Sequence, residues 1–263
     1  MRQSTAAAAA HLAATLAVTA AAVLAAFALP VPAQAGTLVV VGDSGHFVDG
    51  SGREVAVARP AAAFTALRID SSIDVRAHAG AAPAITVHAD DNIEPLIETA
   101  VDGDTLVIRL QKGASFHTHR KIVVDVQFTA LSMVQQRGSG DLHIDKVTGP
   151  RFESSIAGSG DLHIDAVQVG AFQLSIAGSG DAVIGGGSAD EARFGIAGSG
   201  DIDARDFAVR KVSAVIRGSG DARVNATEQL DARVAGSGDV TYAGHPHDIS
   251  RQVSGSGSVH AAR

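Results

Sequence analysis

From position 138 onward the tripeptide Gly-Ser-Gly recurs seven times, starting at positions 138, 158, 178, 198, 218, 236 and 255, with spacings of 20, 20, 20, 20, 18 and 19 residues. In the first six copies the next residue is aspartate: Asp141, Asp161, Asp181, Asp201, Asp221 and Asp239. The last copy ends in Ser258. Self-similarity at one period marks a repeat architecture, in which a unit buries its apolar face only against its neighbours.

The phase of the apolar residues says more than the motif does. In the second copy Phe152, Ser154, Ile156, Gly158, Gly160, Leu162 and Ile164 share one parity, while Glu153, Ser155, Ala157, Ser159, Asp161, His163 and Asp165 share the other. The alternation of a half-buried strand therefore runs through Gly-Ser-Gly-Asp without losing register. It does so again at Phe172 to Ile184, at Phe194 to Ile202, at Ile216 to Val224 and at Val234 to Val240.

A flexible linker would not keep that register. The phase puts both glycines of each copy (Gly138, Gly140, Gly158, Gly160, Gly178, Gly180, Gly198, Gly200, Gly218, Gly220, Gly236, Gly238, Gly255 and Gly257) on the inward side of a tight corner. There a side chain would strike the coils above and below or demand a positive φ. The expected fold is all-β: a parallel β-solenoid with coils of about 20 residues, stacked about 4.8 Å apart. An antiparallel sandwich would place turn signals every 8 to 12 residues or so, whereas the strongest punctuation here recurs every 20.

Before the repeat, from Phe64 to Phe128, alternation persists without the motif. Leu67 and Ile69, Ile73 and Val75, Ile85 and Val87, Leu106 to Leu110, and Ile122 to Phe128 each read as one buried strand face. Turn signals at Gly80 with Pro83, at Asp91-Asn92 and at Asp102-Gly103-Asp104 separate them. Longer, less regular strands suit a cap that closes one end of a solenoid. The expected organisation is a signal peptide over 1–35, a leading segment over 36–60 that is mobile apart from a strand at Leu38 to Val41, and one solenoid domain over 61–263, irregular over 61–130 and repetitive over 131–263.

The N-terminus carries Arg2, an Ala, Leu and Val run from Leu12 to Leu29, and Ala33-Gln34-Ala35. This order reads as a secretory signal cut before Gly36. The alternative, an uncleaved anchor of about 18 apolar residues, fits less well with Pro30 and Pro32. After cleavage no membrane span is expected, and the absence of cysteine excludes a lipoprotein anchor and disulfides, so burial across repeats must supply the stability. Cleavage removes one positive charge and takes the net charge from −7 to −8. An acidic chain with one tyrosine and no tryptophan lacks the basic patch and stacking residues of a nucleic-acid binder.

The run "FTALRIDSSIDVRAHAGAAPAITVHADDNIEPLIETAVDGDTLVI", followed by repeated "GSGD", resembles the bacterial domain described as putative auto-transporter adhesin, head GIN domain, over about Phe64 to Val259. The resemblance implies an exported β-helix-like protein of the periplasm, envelope or cell surface, with adhesion as its proposed role. An auto-transporter adds a C-terminal barrel of membrane strands about ten residues long. The sequence stops soon after its last repeat, so self-export by that route is not expected.

Candidate sites lie on the outward side of the corners. The six aspartates form a ladder whose neighbouring charges, about 4.8 Å apart in water, repel by roughly 0.9 kcal/mol before screening. The leading reading is local: aspartate beside a glycine corner accepts backbone N–H bonds. A calcium ladder is the lesser reading, and no cofactor is otherwise expected. The outward serines, Ser139, Ser159, Ser179, Ser199, Ser219, Ser237 and Ser256, form a parallel row suited to a repetitive partner, either a surface glycan or an envelope protein. His117 with His119, His245 with His247, and His143 with His163 are pairs without a third ligand, so no zinc site is expected. No catalytic residue is expected either, because the Ser-Asp motif recurs in every coil whereas a catalytic site is a single asymmetric constellation. The expected function is a non-enzymatic adhesion or envelope-binding module. The alternatives are a periplasmic structural protein that forms homo-oligomers through an open solenoid end, and a polysaccharide-active β-helix enzyme.

Overall fold

The structure, a computed structural model, describes residues 47–262. The signal peptide expected over 1–35 and the strand expected at Leu38 to Val41 lie outside the described residues. The strands of the N-terminal half are β1 (Phe47–Asp49), β2 (Glu54–Arg59), β3 (Ala66–Asp70), β4 (Asp74–Ala79), β5 (Ala84–Asp90), β6 (Ile97–Asp102), β7 (Thr105–Leu110), β8 (Ser115–His117) and β9 (Val123–Phe128). The repeat half contains β10 (Met133–Gly138), β11 (Leu142–Gly158), β12 (Leu162–Gly178), β13 (Ala182–Ile184), β14 (Gly187–Gly198), β15 (Ile202–Gly218), β16 (Ala222–Gly236), β17 (Val240–Ala243), β18 (Asp248–Gly255) and β19 (Val259–Ala261). One 3-10 turn, Glu94–Leu96, completes the secondary structure. No helix among the described residues is long and apolar enough to cross a membrane.

The chain is a parallel β-solenoid. From β10 onward every pairing is parallel and in register at the repeat period: Phe152 pairs with Phe172, Ile156 with Ile176 and Gly158 with Gly178. Each coil has three sides. In β12 the inward residues are Leu162 and Ile164, then Val167 and Val169, then Phe172, Leu174 and Ile176, so the inward parity switches twice, at Asp165-Ala166 and at Gly170-Ala171. Only the corner that carries Gly-Ser-Gly-Asp preserves parity, because two extended residues there replace a bend that would swap faces.

Stacking places like on like. Ile144, Ile164 and Ile184 form one buried column, and Ile156, Ile176, Ile196, Ile216 and Val234 form another. Phe152 stacks on Phe172 in register with ring centroids 5.9 Å apart, and Phe194, two residues out of that register, reaches Phe172 at the same distance in a tilted contact. Burying one such side chain contributes about 1.5–3 kcal/mol, and only a neighbouring coil can bury it. The 18-residue repeat keeps the columns aligned by dropping residues on one side: the β15–β16 pairing slips between Ala204 and Ala208 and between Val209 and Lys211, then recovers Gly218 against Gly236.

The N-terminal half forms the less regular cap, and its coil order departs from chain order. β3 pairs with both β7 and β10, and β4 pairs with both β9 and β11. The coil made of β3 and β4 therefore sits between the coil of β7 and β9 and the first repeat. Antiparallel strands close this end: β6 on β7, β5 on β9 and β2 on β5. The mobile leading segment expected over 36–60 is corrected over Phe47–Arg59, where β2 edges β5 and β1 pairs with β8. Val55 and Val57 turn one side of β2 inward, an alternation like that of Leu67 and Ile69.

Candidate binding face

At each Gly-Ser-Gly corner the chain leaves one strand and enters the next with its amides bound to the coil before. Ser179 N–H donates to Gly158 O at 3.0 Å, and Ser199 N–H to Gly178 O at 2.9 Å. The first glycine takes a positive φ, 145° at Gly178. A Cβ there would lie 2.0 Å from Gly158 O, and one on Gly180 would lie 2.2 Å from Gly160 O. The obstacle is thus the backbone of the neighbouring coil, met along the stacking direction. The second glycine needs no unusual φ but has the same lack of room.

The serines between the glycines are all exposed. The aspartates interlock. Asp161 Oδ1 accepts from Asp181 N–H at 2.8 Å, Asp181 Oδ1 from Asp201 N–H at 2.8 Å, Asp201 Oδ1 from Asp221 N–H at 2.7 Å and Asp221 Oδ1 from Asp239 N–H at 2.8 Å. Asp239 Oδ1 accepts from Ser258 N–H at 2.7 Å, so the seventh copy ends the ladder with a residue that needs only to donate. Each carboxylate thereby satisfies a backbone donor one coil on, which offsets the repulsion along the row.

The ladder has an earlier rung that sequence reading missed. Asp74 Oδ1 accepts from Asp141 N–H at 3.0 Å, and Ser71-Ser72-Ile73 fills the corner position, with Ser71 O and Ile73 O where the next coil's glycines need space. The signal was present in "SSID", which keeps the outward serine and aspartate of "GSGD" without its glycines. A Cβ is tolerable at this corner because the coil before it follows a different path, through Lys121 and Ile122.

Beside the ladder runs a groove of about 470 Å³, lined by Asp74, Asp141, Asp161 and Asp181 on one side and by Arg76, His143 and His163 on the other. Four successive coils each give it polar side chains at one register. Lys121 Nζ stands 3.3 Å from Asp74 Oδ2 at its N-terminal end. A larger groove of about 560 Å³ lies on another side, around Arg210. There Arg210 is claimed by Asp190 at 3.2 Å and Glu228 at 2.8 Å, and these hydrogen bonds hold its pKa above, and that of Glu228 below, the usual range. The smaller groove is the better candidate, since its polar groups recur along a row at the coil spacing.

Residues 63–246 match the family described as putative auto-transporter adhesin, head GIN domain. The chain belongs to this family. Solved structures resemble this head GIN domain over most of its length. A putative adhesin from Bacteroides fragilis is 24% identical, with a TM-score of 0.78, over 82% of this chain and 100% of that one. A putative lipid binding protein from Parabacteroides distasonis is 29% identical, with a TM-score of 0.67, over 83% and 100%. A putative adhesin from Parabacteroides merdae is 23% identical, with a TM-score of 0.68, over 82% and 99%. Among curated proteins none matches the chain.

The remaining histidine pairs lie apart from the groove in the head GIN domain. His117 and His119 meet edge to face with centroids 4.9 Å apart. His245 and His247 precede β18, in the last turn before the final coil.

Proposed function

We propose that the chain is an exported, non-enzymatic binding module that lays its Ser/Asp edge and adjoining groove against an extended, repetitive partner, a surface glycan before an envelope protein. The observation that carries this reading is the groove itself. Asp141, Asp161 and Asp181, with His143 and His163, repeat polar groups at the coil spacing, which suits a partner whose own groups repeat. Membership of an adhesin head family supports binding over turnover, and the amino-terminal sequence supports export. The test is a binding screen of the purified chain against bacterial and host polysaccharides. Saturable binding that weakens in a His143→Ala/Asp161→Asn double variant upholds the reading. Absence of binding across the panel, or binding indifferent to that variant, contradicts it.

A second reading has its own observation. β18 and β19 pair with β16 and β17 on one side, and with no strand on the other among the described residues. β18 is exposed along its whole length, with Ile249 at 37% and Val253 at 43%. Unpaired edges of this kind invite pairing with another chain. Light scattering coupled to size-exclusion chromatography decides it: concentration-dependent dimers abolished by Ile249→Lys support assembly, and a strict monomer defeats it.

A further inference from the structure

We propose that His143, His163 and Asp165 form a binding site for a divalent transition metal of the zinc class. Parallel pairing sets His143 directly against His163, with imidazole centroids 5.1 Å apart and ring planes 20° from parallel. Asp165 stands two residues beyond His163, and its carboxylate reaches both rings: His143 Nε2 is 3.0 Å from Oδ2 and His163 Nε2 is 3.0 Å from Oδ1. Among the described residues these three form the one group of ligand-type side chains whose ligand atoms all lie within 4.8 Å of one another.

Neighbouring coils show that the repeat does not impose this arrangement. The equivalent of Asp165 one coil earlier, Asp145, has its carboxylate taken by the Ala79 N–H at 3.0 and 3.2 Å and by the Lys146 N–H at 2.5 Å. Asp165 has no such backbone bond among the described residues and faces only the imidazoles. One coil later Val183 pairs with His163 and Gly185 follows in the place of Asp165, while one coil earlier Arg76 pairs with His143. Unlike the Ser and Asp ladders, the cluster occurs once, which is the asymmetry expected of a site.

The distances suit a metal. Zinc holds imidazole nitrogen at about 2.0–2.1 Å and carboxylate oxygen at about 2.0–2.2 Å, so tetrahedral ligand atoms stand roughly 3.3–3.4 Å apart. The two 3.0 Å contacts fall on different carboxylate oxygens and the ligand atoms lie within 4.8 Å of one another, so closing on one ion takes side-chain movements of up to about 1.5 Å, which side chains at 45%, 45% and 48% exposure are free to make. Each neutral imidazole would bind through Nε2 with its proton on Nδ1. Two imidazoles and one carboxylate favour zinc, copper(II) or nickel over calcium or magnesium. Three protein ligands leave a fourth position open, beside a groove that His143 and His163 themselves line. That position takes water or an oxygen of whatever the groove holds. The site stands on its own geometry, whether or not the groove binds a glycan.

Calorimetric titration of the chelator-treated full chain with zinc chloride tests this. The expected result is saturation at one equivalent, with affinity lowered at least tenfold in each of His143→Ala, His163→Ala and Asp165→Ala, and unchanged in a His117→Ala/His119→Ala control. Cobalt(II) in place of zinc is expected to give visible absorption of tetrahedral intensity that the same three variants lose. A readout free of variants guards against misfolding: zinc is expected to shield His143 and His163, and not His117, from diethylpyrocarbonate in the unaltered protein. No saturable uptake, uptake that survives the His143→Ala/His163→Ala double variant, or equal modification with and without zinc overturns the proposal.

Discussion

Gly178 and Ser179 are neighbours with opposite tolerances. A Cβ on Gly178 meets a backbone oxygen that cannot retreat without parting two coils, and its φ of 145° is strained for any other residue. Ser179 is exposed. Gly178→Val and Gly180→Val are expected to lose more than about 3 kcal/mol, or to fail to fold, because they force a backbone clash. Ser179→Val should stay within about 0.5 kcal/mol of the parent. Urea denaturation measures both, and equal tolerance at the three positions refutes the packing described. Asp181 is an intermediate case: removing the acceptor of the Asp201 N–H by Asp181→Ala should cost about 1 kcal/mol, while Asp181→Asn, which keeps an oxygen there, should cost less. One oxygen of each ladder carboxylate is already engaged with a backbone donor, and the melting temperature is expected to be unmoved by millimolar calcium or by a calcium chelator. A clear rise with calcium would restore the cation ladder.

At the scale of strands and coils, Arg210 ties three coils together on the side opposed in character to the Asp edge, through Asp190, its own strand β15 and Glu228. Glu228 is held below its ordinary pKa first by its hydrogen bond to Arg210. A carboxyl with a lowered folded pKa stabilises the fold above its unfolded pKa, and that stability is lost as pH falls through the lowered value. The small melting-temperature gap between parent and Arg210→Ala should therefore be present at neutral pH and close in strong acid; a gap independent of pH contradicts the role given to the pair. The repeat coils were legible in sequence because Ile156, Gly158, Gly160 and Leu162 carry one parity through the motif. The cap was legible only as strands. Leu67, Val75, Leu106 and Val124 mark buried faces, yet nothing in their alternation says that β3 and β4 lie between β7 and β9 on one side and the first repeat on the other. Order in a stack is set by which strand edges meet, and a period of two residues is blind to it. Asp165 was legible as the outward neighbour of His163 two residues on, but alternation says nothing of the side-chain turn at that corner which brings its carboxylate to both imidazoles.

For the whole molecule, the corners decide whether the protein is a string of small sheets or one body. The serine and aspartate amides of the Gly-Ser-Gly-Asp segments donate to the coil before them, as Ser179 does to Gly158 and Asp201 to the Asp181 carboxylate, and the glycines leave no gap between coils. Such segments should open only with the strands around them, and protection should decline toward β18, whose outer edge is unpaired and whose side chains are exposed. A rigid edge is also what the proposed binding face requires, since a row of Ser and Asp can match a repetitive partner only if its spacing is fixed. Amide hydrogen exchange resolved to the corner peptides is the most direct measurement. The amides of Ser179, Asp181, Ser199, Asp201, Ser219 and Asp221, each bound to the preceding coil, are expected to exchange as slowly as those of Leu174–Ile176 and Phe194–Ile196. Exchange within seconds, at the rate of an unstructured Gly-Ser linker, would contradict the account.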